Sequence, residues 1–89
     1  MRVNYEKVNE TLKALAHPAR LKIVIGLLNN ECNVSQIQNE LRLPQSTISQ
    51  HLRILKNAGI IKGRREGTKT CYRVIDVQVR EIVQIIRSN

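Results

Sequence analysis

The chain has 89 residues, a length that corresponds to one small domain. Its 15 Lys and Arg against 7 Asp and Glu give a formal charge of +8, which favours a polyanionic partner over an acidic small molecule. With two Tyr and no Phe or Trp, it lacks the aromatic platforms on which single-stranded nucleic-acid binders stack bases, so duplex DNA is favoured. The longest apolar run, IVIGLL, falls far short of the roughly 18 residues of a membrane span, and we expect a cytoplasmic location.

Two amphipathic helices are predicted before residue 30. The first spans Tyr5–Leu15, and the second begins at Pro18, which suits a first helical turn because no amide is needed there. His17, just before it, is expected to cap the helix or to make another structural hydrogen bond. The apolar stripe of the first helix, which packs either internally or in a dimer interface, consists of Val8, Leu12 and Leu15. The second helix is predicted to turn Leu21, Val24, Ile25 and Leu28 inward, with Ile23 and Leu27 on a neighbouring face.

Residues 34–59 predict a helix-turn-helix. Ser35 and Gln38 have the spacing of a capping box, and a short helix to Leu41 follows. Pro44 is expected to open the next helix, which runs from Gln45 to about Ala58. Its apolar stripe consists of Ile48, Leu52 and Leu55.

On the helix from Gln45 to about Ala58, the face opposite the apolar stripe is polar and almost uncharged. A rod of this length fits the major groove of B-form DNA, where Gln pairs with adenine, Arg with guanine and Ser with either. The residues predicted to reach base edges are Gln45, Ser46, Ser49 and Gln50, and those predicted to contact phosphates are Thr47 and Arg53. His51, at the edge of the apolar stripe, either contacts a phosphate or packs. A polar surface helix that binds nothing is the alternative at this point.

A basic β-hairpin is predicted after a helix stop at Gly59. Strands at Ile60–Arg65 and Lys69–Val74 flank a tip at residues 66–68, and residues 31–34 are a candidate third strand. The cations of the hairpin are Lys62, Arg64, Arg65, Lys69 and Arg73. Charge also protects exposed hairpins from aggregation, but five cations against one Glu exceed that need. Contacts to phosphates or the minor groove are predicted for Arg64, Arg65 and Lys69.

The last helix is predicted to begin with Asp76 as its cap. Its apolar stripe consists of Val79, Ile82, Val83 and Ile86, widened by Val77 and Ile85. So broad an apolar face cannot all be covered within so small a domain, which predicts pairing with the same helix of a second copy.

Four blocks in order, HPARLKIVIGLL, VSQI, QSTISQHLRILKNAGII and RREGTKTCYRV, resemble the ArsR/SmtB family of bacterial winged helix-turn-helix repressors over nearly the whole chain. The resemblance implies one mostly α domain over residues 1–89, with about five helices and a two- or three-stranded antiparallel hairpin sheet. It also implies a homodimer that binds palindromic operators in double-stranded DNA. The interface residues expected on the terminal helices are Val8, Leu12, Val79, Ile82, Val83 and Ile86.

The metal sites of this family are not matched in the chain. Metal-responsive members carry an E-L-C-V-C-D-like run or an Asp and His set on the last helix, whereas this chain has Asn33 and Ser35 at the two cysteine positions and no His in its last helix. No metal, cofactor or small-molecule ligand is therefore expected.

A redox switch between Cys32 and Cys71 is an alternative, since the elements that carry them are neighbours in winged helices. Strand parity favours thiols on opposite faces, and free cysteines are commonly small buried hydrophobes. An enzyme is disfavoured, because no nucleophile with a nearby base, no carboxylate pair and no phosphate-cradling loop is present. A protein-interaction module without specific DNA binding remains an alternative of another class.

Overall fold

The computed structural model describes residues 2–88, so Met1 and Asn89, the two ends of the expected domain, lie outside the described residues. Its elements are α1 (Tyr5–Leu15), α2 (Pro18–Asn29), α3 (Val34–Leu41), α4 (Gln45–Asn57), β1 (Ile61–Glu66), β2 (Lys69–Val74) and α5 (Val77–Arg87). The predicted mostly α fold with a small hairpin sheet is therefore confirmed. Over the described range, no helix combines the length and apolarity that a bilayer crossing requires.

The core contains buried residues from all five helices and both strands. The predicted stripe of α4 is confirmed, because Ile48, Leu52 and Leu55 are all buried. The predicted inward stripe of α2 is confirmed at Val24, which is buried, whereas Leu21, Ile25 and Leu28 are only partly buried and pack against the edge of the core. Ile23, Val24 and Leu27 are the buried residues of α2. This helix is apolar on nearly every side, so periodicity alone could not decide which side faces the core.

The helix starts agree with the predicted caps at two of three places. The His17 Nδ1 accepts a hydrogen bond from the Ala19 amide at 3.1 Å, and the Asp76 carboxylate accepts from the Gln78 amide at 2.9 Å. The predicted capping box at Ser35 is wrong. The α3 helix begins at Val34, so Ser35 already lies inside the first turn and cannot cap it.

The hairpin pairs β1 with β2 antiparallel, from Ile61 opposite Val74 to Glu66 opposite Lys69. Gly67 forms the tip with a φ of 64°, a left-handed conformation that glycine adopts without strain. The candidate third strand at residues 31–34 is not formed. This segment makes one ladder-like bond, from the Cys32 amide to the Tyr72 carbonyl at 3.2 Å, and a φ of 68° at Cys32 turns it out of an extended path.

The outer faces of α1 and α5 remain apolar and exposed in this chain. Leu12 is 49% exposed and Ile86 is 44% exposed. Val79 and Val83, which were expected at a dimer interface, are at most 1% exposed and belong to the core of their own chain. That part of the interface prediction is corrected, because a side chain already buried within one copy cannot reach a second.

Candidate DNA-binding surface

The polar face of α4 is exposed over its first two turns. Gln45, Ser46, Ser49 and Gln50 are all exposed, whereas Ile48 between them is 1% exposed. Within residues 2–88, no hydrogen bond engages the side chains of these four polar residues. The helix is thus anchored by its apolar side and presents unpaired donors and acceptors on the other side, which is what contact with base edges requires.

The remaining polar residues of α4 differ in exposure. Arg53 is exposed and lies one turn beyond Ser49 on the same side of the helix, so its guanidinium is available to a phosphate. Thr47 is only partly buried, and its amide bonds to the Pro44 carbonyl at 3.0 Å at the helix start.

His51 packs inside the fold, which decides between the two roles that the sequence left open. It is 9% exposed, and its ring centroid lies 4.7 Å from that of His17. The Arg20 Nη1 lies 3.5 Å from the His51 Nδ1. Burial first, and then the charges of His17 and Arg20, lower the pKa of His51.

Arg20 joins three helices at this point. Its Nε donates to the Ala14 carbonyl at the end of α1 at 2.7 Å, while its guanidinium lies against His51 of α4. The structure gives this side chain an internal role, because it is partly buried and satisfies a carbonyl at a helix end.

The cations of the β1–β2 hairpin, called the wing below, lie on two different faces of the sheet. Because side chains alternate along a strand, the register places Arg65 on the face of Tyr72, and Arg64 on the face of Cys71. Tyr72 lines a groove together with Ser49 and Arg53, so the Arg65 face is the one beside α4. Arg64, on the other face, forms an ion pair with Glu66 at 2.7 Å.

Lys69 also lies on the Cys71 face, opposite Glu66 near the tip. The three wing residues predicted to touch DNA are thus divided, with Arg65 on one face and two cations on the other. A hairpin tip that enters a groove can use both faces, whereas a hairpin that lies flat against the backbone would use only one.

Cys32 and Cys71 form a disulfide that links the start of α3 to β2. Their Cα atoms are 4.2 Å apart and 39 residues separate them in the sequence. The expectation that the two thiols face opposite ways is wrong. Strand parity does not apply to Cys32, since its positive φ places it in a turn. Cys32 is exposed and Cys71 is 5% exposed.

The same two cysteines lie near a carboxylate. The Cys32 and Cys71 sulfurs and a carboxylate oxygen of Glu66 all lie within 4.8 Å of one another. Two sulfurs that are bonded to each other provide no thiolate for a metal ion, and Glu66 is paired with Arg64. This cluster therefore does not form a metal site in the disulfide state.

Sequence reasoning missed two features of the wing. Tyr72 lies beside α4. Gly63, opposite Tyr72, leaves room for the ring, because a Cβ added at Gly63 would lie 2.9 Å from the Tyr72 Cε1. Lys62 lies directly opposite Arg73. Counting back from a two-residue turn at 67–68 gives both pairs, whereas the expected tip at 66–68 shifts the register by one residue.

An exposed polar face on the second helix of a helix-turn-helix, followed by a basic hairpin, is the arrangement of the winged helix-turn-helix class of DNA-binding regulators. Residues 17–62 match the family described as bacterial regulatory proteins of the arsR family. The chain belongs to this family, as the four sequence blocks indicated.

Similar proteins agree with this assignment. The chain is 47% identical over 83 residues to the uncharacterized HTH-type transcriptional regulator MJ1325 of Methanocaldococcus jannaschii, a match that covers 92% of this chain and 93% of the relative. The structure resembles that of HlyU from Vibrio cholerae, with a TM-score of 0.89, 33% identity and coverage of 99% and 96% of the two chains.

A third similar protein is Mb0332 from Mycobacterium bovis, described as a homodimeric winged helix-turn-helix DNA-binding domain. It matches with a TM-score of 0.83 and 31% identity, over 94% of this chain and 78% of that one. These matches confirm the winged helix-turn-helix fold.

Proposed function

We propose that this protein is a transcriptional regulator of the repressor type, which binds a palindromic operator in double-stranded DNA as a homodimer. The observation that carries the proposal is the set of four exposed side chains without internal partners on the first two turns of α4. Relatives support the same function: PagR of Bacillus anthracis, 41% identical over 78 residues, is named a transcriptional repressor.

In this proposal α4 enters the major groove. Gln45, Ser46, Ser49 and Gln50 contact base edges, because Gln and Ser can both donate and accept hydrogen bonds there. Arg53 and Thr47 contact the phosphates that border the groove and fix the position of the helix. The buried stripe of α4 keeps the helix rigid, so the polar face meets the DNA in one orientation.

The hairpin contributes contacts that do not depend on base identity. Arg65 is best placed, since it lies on the side of α4 and forms no ion pair within residues 2–88. Lys69 near the tip and Arg64 add positive charge for phosphates or the minor groove. Arg64 contributes less than Arg65, because its guanidinium is shared with Glu66.

The terminal helices form the dimer interface in this proposal. Leu12 and Val8 of α1 and Ile86 of α5 are exposed, and Ile82 of α5 is partly buried. Exposed apolar residues on the two terminal helices are costly in a monomer of this size. A two-fold axis through them would place the two α4 helices about 34 Å apart, in successive major grooves.

The test is fluorescence anisotropy with a palindrome selected from a random pool, compared with a scrambled duplex of the same length, over a series of salt concentrations. We expect preferential binding to the selected duplex and a steep loss of affinity with salt on both. Equal affinity for the two duplexes at every salt concentration would contradict the proposal.

A second candidate function, redox control of this repressor by thiols, is favoured by the Cys32–Cys71 disulfide. The bond ties the first helix of the helix-turn-helix to the wing, so opening it removes a constraint on the position of the wing. We expect reduced and oxidised protein to differ in operator affinity, and a Cys32→Ser/Cys71→Ser protein to behave the same with and without reductant. Equal operator affinity of the two redox forms would rule this control out.

A further inference from the structure

The face of the wing that points away from α4 contains a pocket of about 230 Å³. The residues that line it are Glu31, Lys62, Gly63, Arg64, Cys71 and Arg73. It lies on the opposite side of the sheet from the Tyr72 groove, so it is separate from the surface assigned to DNA bases. The charge of this pocket and the cysteine in its wall are two independent features.

Two of the three cations that line the pocket, Lys62 and Arg73, form no ion pair within residues 2–88. Lys62 and Arg73 are cross-strand partners, and like charges in that position destabilise a hairpin. Within residues 2–88 the only ion pair is the one between Arg64 and Glu66. Glu31 is the one acidic residue of the lining, and it is not within ion-pair distance of a cation. Two opposed cations at a concave surface form a site for a carboxylate.

The cysteine of the pocket is the less accessible half of the disulfide. Cys71 is 5% exposed and contributes to the pocket wall, whereas Cys32 is exposed outside it. A thiol that arrives from bulk solvent therefore meets the Cys32 sulfur first. A ligand seated in the pocket lies next to Cys71 instead.

We propose that this pocket binds a small thiol that bears a carboxylate and directs its attack to Cys71. The carboxylate pairs with Lys62 and Arg73, and the thiolate lies against the Cys71 sulfur. This inference rests on the second candidate function, in which the disulfide is opened and closed, and it names the class of molecule that opens it.

The chemistry is thiol–disulfide exchange. The ligand thiol loses its proton to solvent, and the thiolate forms a bond to the Cys71 Sγ as the bond between Cys71 and Cys32 breaks. The electron pair of the broken bond leaves with Cys32 as a thiolate, which solvent protonates. A second ligand thiolate attacks the ligand sulfur of the mixed disulfide, which releases the oxidised ligand and leaves Cys71 reduced. Two ligand thiols are oxidised for each protein disulfide that is reduced.

The experiment uses oxidised protein without DNA and three thiols that differ in charge: 3-mercaptopropionate (anionic), 2-mercaptoethanol (neutral) and cysteamine (cationic). Rate constants for loss of the disulfide are measured for the wild type, Lys62→Gln, Arg73→Gln and Glu31→Gln. Arg87→Gln, at an exposed position of α5 outside the pocket lining, removes the same charge and serves as the control. Each thiol is compared only with itself across the variants, which cancels differences in intrinsic nucleophilicity.

We expect Lys62→Gln and Arg73→Gln to lower the rate constant for 3-mercaptopropionate by about three- to tenfold, as loss of one charge contact implies. The rate constant for 2-mercaptoethanol should not change. Glu31→Gln should speed the anionic thiol and slow cysteamine. Rapid alkylation and peptide mass spectrometry should place the 3-mercaptopropionate adduct on Cys71, and the 2-mercaptoethanol adduct on Cys32.

Two results would contradict the proposal that this pocket binds an anionic thiol. One is an equal change for all three thiols in Lys62→Gln and Arg73→Gln, or the same change in Arg87→Gln. The other is an anionic adduct that forms on Cys32. Because no DNA is present, these rates do not depend on whether the disulfide affects operator binding. A negative result for thiol binding by the pocket can therefore be distinguished from a negative result for redox control.

Discussion

The imidazole rings of His17 and His51 lie 4.7 Å apart, between the start of α2 and the recognition helix. The Arg20 guanidinium lies 3.5 Å from the His51 Nδ1, so a proton on His51 would place a second positive charge beside it. No carboxylate forms an ion pair with any of these three residues within the described range. Burial and the two neighbouring charges therefore favour the neutral form of His51 by lowering its pKa.

This arrangement predicts that stability falls in mild acid. The pKa of His51 is lowered from 6.5 in the folded protein, so the unfolded chain takes up the proton first as the pH decreases. The stabilising contribution is complete above pH 6.5 and is lost as the pH falls through the lowered pKa. Urea unfolding between pH 8 and pH 5 should give a smaller pH slope for His51→Gln than for the wild type. Identical slopes would rule out His51 as the cause.

Base contacts by α4 predict a selective loss of affinity. Ser49→Ala or Gln45→Ala removes a side chain that has no partner within the protein, so folding should change little. Binding to the selected operator should weaken by about 1–3 kcal/mol, with affinity for a scrambled duplex unchanged. Anisotropy titrations measure both. Gln84→Ala, an exposed glutamine on α5, is the matched control, and an equal loss on both duplexes would contradict base contact.

The two faces of the wing predict unequal effects of neighbouring arginines. Arg65→Ala should weaken binding to all duplexes alike and reduce the slope of log K against log salt by about 1. Arg64→Ala should have a smaller effect, since Arg64 is paired with Glu66. Glu66→Gln should strengthen binding by freeing that guanidinium. A larger loss from Arg64→Ala than from Arg65→Ala would mean that the other face of the hairpin meets the DNA.

The exposed apolar residues of α1 and α5 predict a dimer that one charge can break. Leu12→Glu places a carboxylate on a 49% exposed apolar position, where it costs little in a monomer and much in a dry interface. Analytical ultracentrifugation should show a dimer for the wild type and a monomer for Leu12→Glu. Ser35→Glu introduces the same charge on α3 and should remain dimeric. A wild-type monomer at all concentrations would remove the interface from the proposal.

Sequence pattern was sufficient where one face of an element is clearly apolar. On α4, Ile48, Leu52 and Leu55 recur at helical spacing among polar residues, so both the buried side and the exposed polar side were predicted. On α2, apolar residues surround the helix, and the pattern could not tell Leu21 and Ile25 from the truly buried residues. The pattern is informative only when it contains a contrast.

The disulfide shows a second limit of sequence reasoning. The expectation for Cys32 and Cys71 assumed that Cys32 lies in a strand, and alternation then placed the thiols apart. A positive φ at a residue other than glycine is set by its tertiary surroundings, here by the bond from the Cys32 amide to the Tyr72 carbonyl. The register of the wing also differs from the expected tip at residues 66–68, because Glu66 pairs with Lys69 and only residues 67 and 68 form the turn.

The Cys32–Cys71 bond predicts a large redox dependence of stability. It closes a loop across a separation of 39 residues, and the chain-entropy model assigns roughly 4 kcal/mol to a loop of that length. Guanidinium unfolding of oxidised and reduced protein at one fixed concentration, since a dimer unfolds in a concentration-dependent manner, should give a lower midpoint for the reduced form. The Cys32→Ser/Cys71→Ser protein should match the reduced form and should not respond to reductant. Equal midpoints for oxidised and reduced protein would contradict the prediction, because the bond would then not lower the entropy of the unfolded chain as the model requires.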